Sequence, residues 1–259
     1  MKTVIIGSGN LATHLSLALK AGGIDIAQVF SRTAAHAGEL AGKLGCTYTT
    51  VPEQVLTDAD VYIISVNDDA ISGLAVRLCK ARPQGVFIHT AGSVPMEVFR
   101  PYGVRHGVLY PMQTFSKNRS VDFRSIPCFI EASDEATLDL IRRMASIVSD
   151  HVVPADSERR RKLHLAAVLA CNLANHCYRL AERVLEEEQI DFSLYLPLIM
   201  ETARKVTTMS PREAQTGPMV RYDRGVMAAQ ISLLSDERTR QIYRLMAESI
   251  HEDALLSVK

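Results

Sequence analysis

Val4-Ile5-Ile6-Gly7-Ser8-Gly9-Asn10-Leu11-Ala12 decides how the rest of the chain is read. An apolar run breaks into two glycines one residue apart and resumes as an amphipathic stretch. That is the shape of a strand, a tight turn and a helix start. Gly7 to Ala12 fit the pattern GxGxxG/A. Gly7 allows the turn, Gly9 lets a pyrophosphate approach the backbone, and the small Ala12 lets the helix pack close to the sheet. The free N–H groups and the helix dipole then face the phosphates. An ordinary glycine-rich turn is the alternative, since the pattern alone is weak. Its place between a strand and a helix in a βαβ unit favours the dinucleotide site. Gly7, Ser8, Gly9, Asn10 and Leu11 are therefore expected to hold a cofactor.

Outward from this turn, short apolar runs alternate with helical stretches to about residue 153. The strand candidates are Thr3–Ile6, Ile26–Phe30, Val61–Val66, Val86–His89, Gly107–Leu109 and Cys128–Glu131. The helical candidates are Asn10–Ala21, Thr33–Leu44, Asp69–Lys80 and Asp134–Val148. This alternation predicts βαβ crossovers and a doubly wound, mainly parallel sheet. After Pro154 strand signals cease. Asp156 to Glu188 has neither Gly nor Pro and reads as one long helix. Asp191 caps another that runs to about Met209, Ser210-Pro211 starts a further helix, and Ser235–Leu256 forms the last. The reading is an α/β Rossmann domain, residues 1–153, followed by an all-α domain, residues 154–259.

The end of the second strand bears on which dinucleotide is bound. NAD-binding units place an acid there to hold the ribose hydroxyls. This chain has Ser31-Arg32-Thr33 instead. Arg32 offers a planar cation to a 2′-phosphate and the two hydroxyls add donors, which favours NADP(H). The alternative is that Arg32 is a solvated residue at a helix start.

Further candidates follow the later strands. Val66, Asn67 and Asp68 are placed to touch the nicotinamide end of the cofactor, although Asp68 and Asp69 also read as helix N-caps. Ser93, in His89-Thr90-Ala91-Gly92-Ser93, suits a wall near the reacting carbon or a plain turn. Gln113 and Thr114, with Ser116, offer uncharged donors and acceptors to a substrate or to their own loop. In the helical half, Leu163–Leu173 is apolar nearly all round and reads as buried, with His164 and Asn172 interrupting it. A buried imidazole near a nicotinamide can give a proton as hydride arrives, and Asn172 can orient it. A hydrogen-bonded core histidine is the alternative. Arg221, in Thr216–Asp223, can grip a substrate carboxylate or a partner subunit, while Asp223 caps the next helix.

Composition narrows the classes. The chain has 259 residues, 47% hydrophobic and 22% charged, with Lys+Arg 29 matching Asp+Glu 29. Without a basic excess, no nucleic-acid or anionic-membrane footprint is expected. Five scattered cysteines without a CxxC read as reduced, mostly buried thiols. No segment approaches the ~20 apolar residues of a membrane span, and the N-terminal run reads as a strand rather than a signal peptide. The expected compartment is the cytoplasm. No metal site is expected: His164 and His176 lie about 18 Å apart along a helix, too far to share an ion.

With these residues in view, the chain resembles the β-hydroxyacid-dehydrogenase-like superfamily, whose helical domains are of the 6-phosphogluconate dehydrogenase type. Within it, the chain is most similar to a two-domain family with a Rossmann-like N-terminal domain and a helical C-terminal domain of unknown function, labelled NADP oxidoreductase. It is also similar to pyrroline-5-carboxylate reductase. The marks are GSGNLATHL (Gly7–Leu15), FSRT (Phe30–Thr33), SVNDDAI (Ser65–Ile71), YPMQTFS (Tyr110–Ser116), HLAAVLACN (His164–Asn172) and TGPMVRYD (Thr216–Asp223). The resemblance implies an NADP-binding cleft between the domains and a homodimer built through the helical domain. His164 stands at the place of the superfamily's catalytic lysine and Val168 at that of an asparagine, so hydroxyacid chemistry is not implied. YPM is similar to the HPM segment of prephenate and arogenate dehydrogenases, with Tyr110 in place of their histidine, and their substrate is not implied either.

The function expected from the sequence is hydride transfer between NADP(H) and a small carbonyl or imine. His164 and Asn172 are the expected catalytic residues, and Ser93, Gln113, Thr114 and Arg221 the substrate-binding ones. The alternative is a dinucleotide-binding sensor or regulatory module without chemistry.

Overall fold

The computed structural model describes residues 1–256. Eight strands form one sheet: β1 (Lys2–Ile6), β2 (Asp25–Phe30), β3 (Thr47–Thr49), β4 (Val61–Ile64), β5 (Val86–His89), β6 (Arg105–Pro111), β7 (Cys128–Ala132) and β8 (Val152–Pro154). Their order is β3-β2-β1-β4-β5-β6-β7-β8. The β6–β7 pair is antiparallel and the other neighbouring pairs are parallel. The strand order reverses at β1, which places a switch point between the carboxyl ends of β1 and β4.

Central strands are apolar on both faces because helices cover both. Ile5, Ile63 and Ile88 point to one side. There they meet Leu15 and Leu19 of α1 (Asn10–Ala21), Leu40 and Leu44 of α2 (Ala34–Leu44), and Met144 of α4 (Glu135–Val148). Val4, Ile6, Tyr62, Ile64 and Phe87 point to the other side. They meet Ile71, Ala75 and Leu78 of α3 (Asp68–Leu78) and Phe99 of a following 3-10 segment. The two-residue alternation of the pleat separates these two cores.

The expected α/β architecture is therefore present, with local differences. β3 and β8 are three residues each, too short to give a hydrophobic pattern. Tyr110 and Pro111 belong to β6 rather than to the loop after it. Asn67 is the N-cap of α3, so Asp68 and Asp69 are first-turn acids rather than caps. Their charge suits the positive end of the helix dipole there.

The stretch expected as one helix runs unbroken but not uniformly. Asp156 caps it by accepting from the Arg159 N–H at 2.7 Å. α5 (Ser157–Ala167) passes through a π-helical turn, Val168–Leu173, into α6 (Ala174–Glu187). Such turns insert one residue into the helical register and are frequent at functional sites. A 3-10 turn, Phe192–Tyr195, precedes α7 (Leu196–Lys205), and α8 (Pro211–Ala214), α9 (Arg224–Ser232) and α10 (Glu237–Leu255) follow. Ser210 and Glu213 form a reciprocal capping box, and Asp223 caps α9 as expected. Asp236, not Ser235, caps α10.

The chain divides into two compact units, Met1–Cys171 and Asn172–Lys259. In the second, among the described residues, only Leu185 and Ala247 are buried. The expectation that Leu163–Leu173 is a buried helix is corrected: Leu165, Leu169 and Leu173 are 59%, 58% and 52% exposed. Apolar residues surround this helix, but the single chain does not cover them all. The cysteines are likewise less buried than expected. All five are free; Cys79 and Cys128 are buried, Cys46 and Cys177 partly so, and Cys171 is exposed. Among the described residues no helix is long and apolar enough to cross a membrane.

A buried histidine borders the second core. His89, at the end of β5, is 0% exposed and lies 5.8 Å from the Phe99 ring. Its Nδ1 accepts from the Ala91 N–H at 3.2 Å, and its Nε2 has no hydrogen-bond partner among the described residues. Burial first, and then the nearby Arg160 charge, holds its pKa down to about 3. The folded protein thus keeps His89 neutral where the unfolded chain takes up a proton near pH 6.5. Its contribution is complete above pH 6.5 and is lost towards pH 3, at about 1.4 kcal/mol per pH unit. Between pH 6.5 and 4.5 the wild type should lose ~2–3 kcal/mol more stability in urea unfolding than His89→Gln. Parallel losses in the two proteins would contradict a neutral buried imidazole.

Candidate active site

The glycine turn is built by a close approach of three strand ends. Gly7 has φ +124°, and a Cβ there would lie 2.0 Å from the Ser65 carbonyl oxygen. Its N–H donates to the Phe30 carbonyl at 2.8 Å, and the Ser65 N–H donates to the Ile6 carbonyl at 2.7 Å. Only glycine satisfies both the conformation and the space. Gly9 is the opposite case, because nothing lies within 4 Å of where its Cβ would be. It is the N-cap of α1 and supplies no side-chain bond. That open space leaves room for a phosphate beside the start of α1, whose first-turn N–H groups have no intrahelical acceptors. The residues present fit a dinucleotide.

The flanking residues fit as well. Ser8 and Ser31 share a hydrogen bond at 2.7 Å between their hydroxyls. Arg32 and Thr33 are exposed beside them, and Thr33 is the N-cap of α2 with no side-chain bond of its own. Asn10 differs: its side-chain amide donates to the Phe115 carbonyl at 2.8 Å. His14 bonds the Ser116 carbonyl at 3.0 Å, so the segment after β6 is tied along the start of α1. Leu11 packs against the first core and Val66 against the second, while Asn67 is exposed.

A second group of side chains gathers at the same edge of the sheet, beyond β4, β5 and β6. His164 of α5 and Tyr110 of β6 are joined by a 2.9 Å hydrogen bond between the phenol oxygen and imidazole Nδ1, their rings meeting edge to face. Tyr110 is nearly buried and His164 half-buried. The ring lies directly over Gly92, where an added Cβ would come within 2.6 Å of Nδ1. The neighbouring Ser93 hydroxyl donates to Asp68. Burial, then the Asp68 carboxylate, holds the Tyr110 phenol above its ordinary pKa of 10, and the Arg160 guanidinium opposes them.

The structure thus brings Asp68, Ser93 and His164 together in the first unit and adds Tyr110. The sequence reading missed Tyr110 as a site residue because it placed the tyrosine in a loop. The signal was a hydroxyl at the carboxyl end of an apolar strand. Gln113 and Thr114 are exposed in the next segment, where the Gln113 side-chain Oε1 accepts from the Thr114 N–H at 2.8 Å. Asn172 and Arg221 are exposed residues of the second unit. Among the described residues no three His, Cys, Asp or Glu side chains gather as a metal site.

A glycine-rich turn at the switch point of a doubly wound sheet marks a dinucleotide-binding protein of the Rossmann class. Residues 2–91 match the family described as NADP oxidoreductase coenzyme F420-dependent, and residues 126–250 match a domain of unknown function, DUF2520. A Bacteroides fragilis protein provisionally described as an NADP oxidoreductase is 46% identical. The match covers 97% of this chain and 98% of that one, with a TM-score of 0.93. The chain belongs to this family of two-domain NADP oxidoreductases, and NADP(H) is its cofactor. Two more distant structures share the fold. A Thermotoga maritima protein is 22% identical over 97% of this chain and 99% of that one, with a TM-score of 0.80. A Myxococcus stipitatus imine reductase in complex with NADP+ is 16% identical over 100% and 94%, with a TM-score of 0.68. No curated protein matches the chain.

Gly92→Ala tests the pair directly. The methyl group must push the His164 ring aside, at a cost of about 1–3 kcal/mol, and the imidazole nitrogen signals of His164 should move in NMR spectra. An unchanged His164 spectrum would show that the ring does not lie against Gly92.

Proposed function

We propose that the protein reduces a small carbonyl or imine with NADPH, or runs the reverse reaction, and that the Tyr110–His164 pair handles the proton. The observation that carries this reading is the placement of that pair. β6 runs parallel to β5, and through β4 to β1, so Tyr110 and the glycine turn lie on one carboxyl edge. Ligands of open α/β sheets bind along that edge.

Gly7, Ser8, Gly9, Asn10 and Leu11 would hold the pyrophosphate. Ser31, Arg32 and Thr33 would hold the 2′-phosphate, and Val66, Asn67 and Asp68 would follow the nicotinamide end. When bound, NADPH supplies the hydride. The proton is the protein's task. With Nδ1 bonded to Tyr110, His164 keeps Nε2 for a substrate oxygen or nitrogen. An imidazolium donates from Nδ1 to the phenol oxygen, and the neutral Nδ1–H form left when Nε2 has given its proton to the substrate donates to it still. The bond therefore holds the ring in place through both protonation states. Ser93, Gln113 and Thr114 would place the substrate. In this scheme residues 1–153 bind the cofactor and residues 154–259 serve substrate binding and dimerisation. Five free cysteines suit a reducing cytoplasm.

The paired test is a titration with NADPH and NADH. Arg32→Ala should weaken NADPH binding about 10–100-fold, the worth of one charge-assisted contact, and leave NADH nearly unchanged. His164→Ala should bind NADPH normally but turn over an imine or carbonyl substrate ~10²–10⁴-fold more slowly. Absence of nucleotide binding by the wild type would remove the reading altogether.

A homodimer is also proposed. Leu165, Leu169 and Leu173 on one helix, and Leu194, Leu198, Leu233 and Leu245 elsewhere, expose more apolar surface than a soluble monomer ordinarily leaves uncovered. Sedimentation should give twice the mass of one chain, 28.6 kDa, and Leu169→Glu should shift the protein to monomer. A monomeric wild type would exclude this arrangement.

A further inference from the structure

Behind the tyrosine–histidine pair lies a buried ion pair that the proposed chemistry does not use. Arg160 stands one helical turn before His164 on α5 and is 0% exposed. It donates from one guanidinium nitrogen to a Glu131 carboxylate oxygen of β7. From the other it donates to the Val94 carbonyl at 2.5 Å and to the Ser157 hydroxyl at 3.2 Å. Ser157 completes the cage. Its N–H and hydroxyl donate to Glu131 at 2.9 and 2.7 Å, and its oxygen accepts from the Met96 N–H at 3.0 Å. Three separate pieces of chain are therefore pinned to one cation. They are the end of β7, the start of α5, and the segment that follows Gly92 and Ser93.

Stability alone is a poor reason for such a group. A buried ion pair gains little over apolar residues of the same shape, because desolvation offsets its attraction. What Arg160 does gain is position. It fixes the helix that carries His164 to the loop that carries Gly92, the two surfaces between which the imidazole is held.

We propose that Arg160, locked by Glu131, is the positioning residue of the Tyr110–His164 pair and the fixed positive charge beside it. The proposal rests on reading that pair as the proton-handling group, but its test does not require turnover. The charged and titratable groups around the phenol are His164 and Arg160 from α5, Asp68 from the start of α3 and Cys171 from the π-helical turn. Glu131 of β7 stands behind Arg160. Of these, Arg160 is the permanent cation that favours the phenolate, and Glu131 tempers it.

The experiment incorporates 3-fluorotyrosine, whose phenol is more acidic, into the full chain. The ¹⁹F signal of residue 110 is identified by its loss in Tyr110→Phe and titrated with pH. Removing the cation in Arg160→Met should raise the midpoint, by about one pH unit or more. Removing the counter-charge in Glu131→Gln should lower it, because the arginine charge is then uncompensated. Arg160→Lys should stay near the wild type. A merely structural role predicts loosening in both variants, with shifts in the same direction. Shifts of the same sign, or no shift in a folded Glu131→Gln protein, would overturn the proposal. Should Arg160→Met fail to fold, Glu131→Gln and Arg160→Lys decide the matter by themselves. Opposed shifts in a protein without NADPH-linked turnover would uphold the positioning role and reject only the assigned chemistry.

Discussion

Gly7 lies so close to the Ser65 carbonyl that hydrogen is the only side chain the site accepts. That contact brings the carboxyl ends of β1, β2 and β4 together and fixes where α1 begins. The first-turn N–H groups of α1, the feature that suits a phosphate, point where they do because the turn is forced to be this tight. From Ser65 the constraint spreads along the sheet edge. The Thr90 hydroxyl donates to the Ser65 hydroxyl at 3.0 Å, and the Thr90 N–H reaches the Ile64 carbonyl. Two residues later comes Gly92, and over Gly92 lies His164. A continuous series of short contacts thus joins the nucleotide turn to the proposed proton donor, and glycine is required at both ends for lack of room.

The two faces of the sheet meet different demands. The face under α1, α2 and α4 is a large apolar cluster whose buried polar groups, Thr3, Thr13, Ser16 and Thr137, are uncharged hydroxyls. The other face leads towards the site and admits polar groups at a cost. His89 is kept neutral there by burial and by the Arg160 charge. Arg160 itself is admitted only with Glu131 and two oxygen acceptors around it. Polar groups buried at such expense lie on the side of the sheet where chemistry is proposed, which is the usual distribution of perturbed titratable groups.

The helical unit poses a different problem. Its caps are well formed: Asp191, Ser210, Asp223 and Asp236 each accept from a first-turn N–H. Local signals therefore define the helices. Burial does not follow from them, since leucines that pattern as core are exposed in the single chain. Hydrophobic periodicity reports that a surface must be covered. It does not report whether the cover comes from the same chain.

Most of the elements and the nucleotide turn are legible in the residues alone, the three-residue strands β3 and β8 excepted. The strand and helix periods, the GxGxxA spacing and the capping residues are local, and each works through neighbours a few residues away. The sequence also singles out His164 as a candidate, through a polar interruption in an apolar helix. The surroundings of that histidine come only from the folded chain. Tyr110 is 54 residues distant in sequence from His164 and bonds it through space. Glu131 is 29 residues from Arg160, and Val94 is 66. The parallel sheet makes these pairs by stacking the carboxyl ends of separated strands on one edge. No spacing along the chain encodes which side chains will then face each other, because that depends on register, twist and the path of α5 across the sheet.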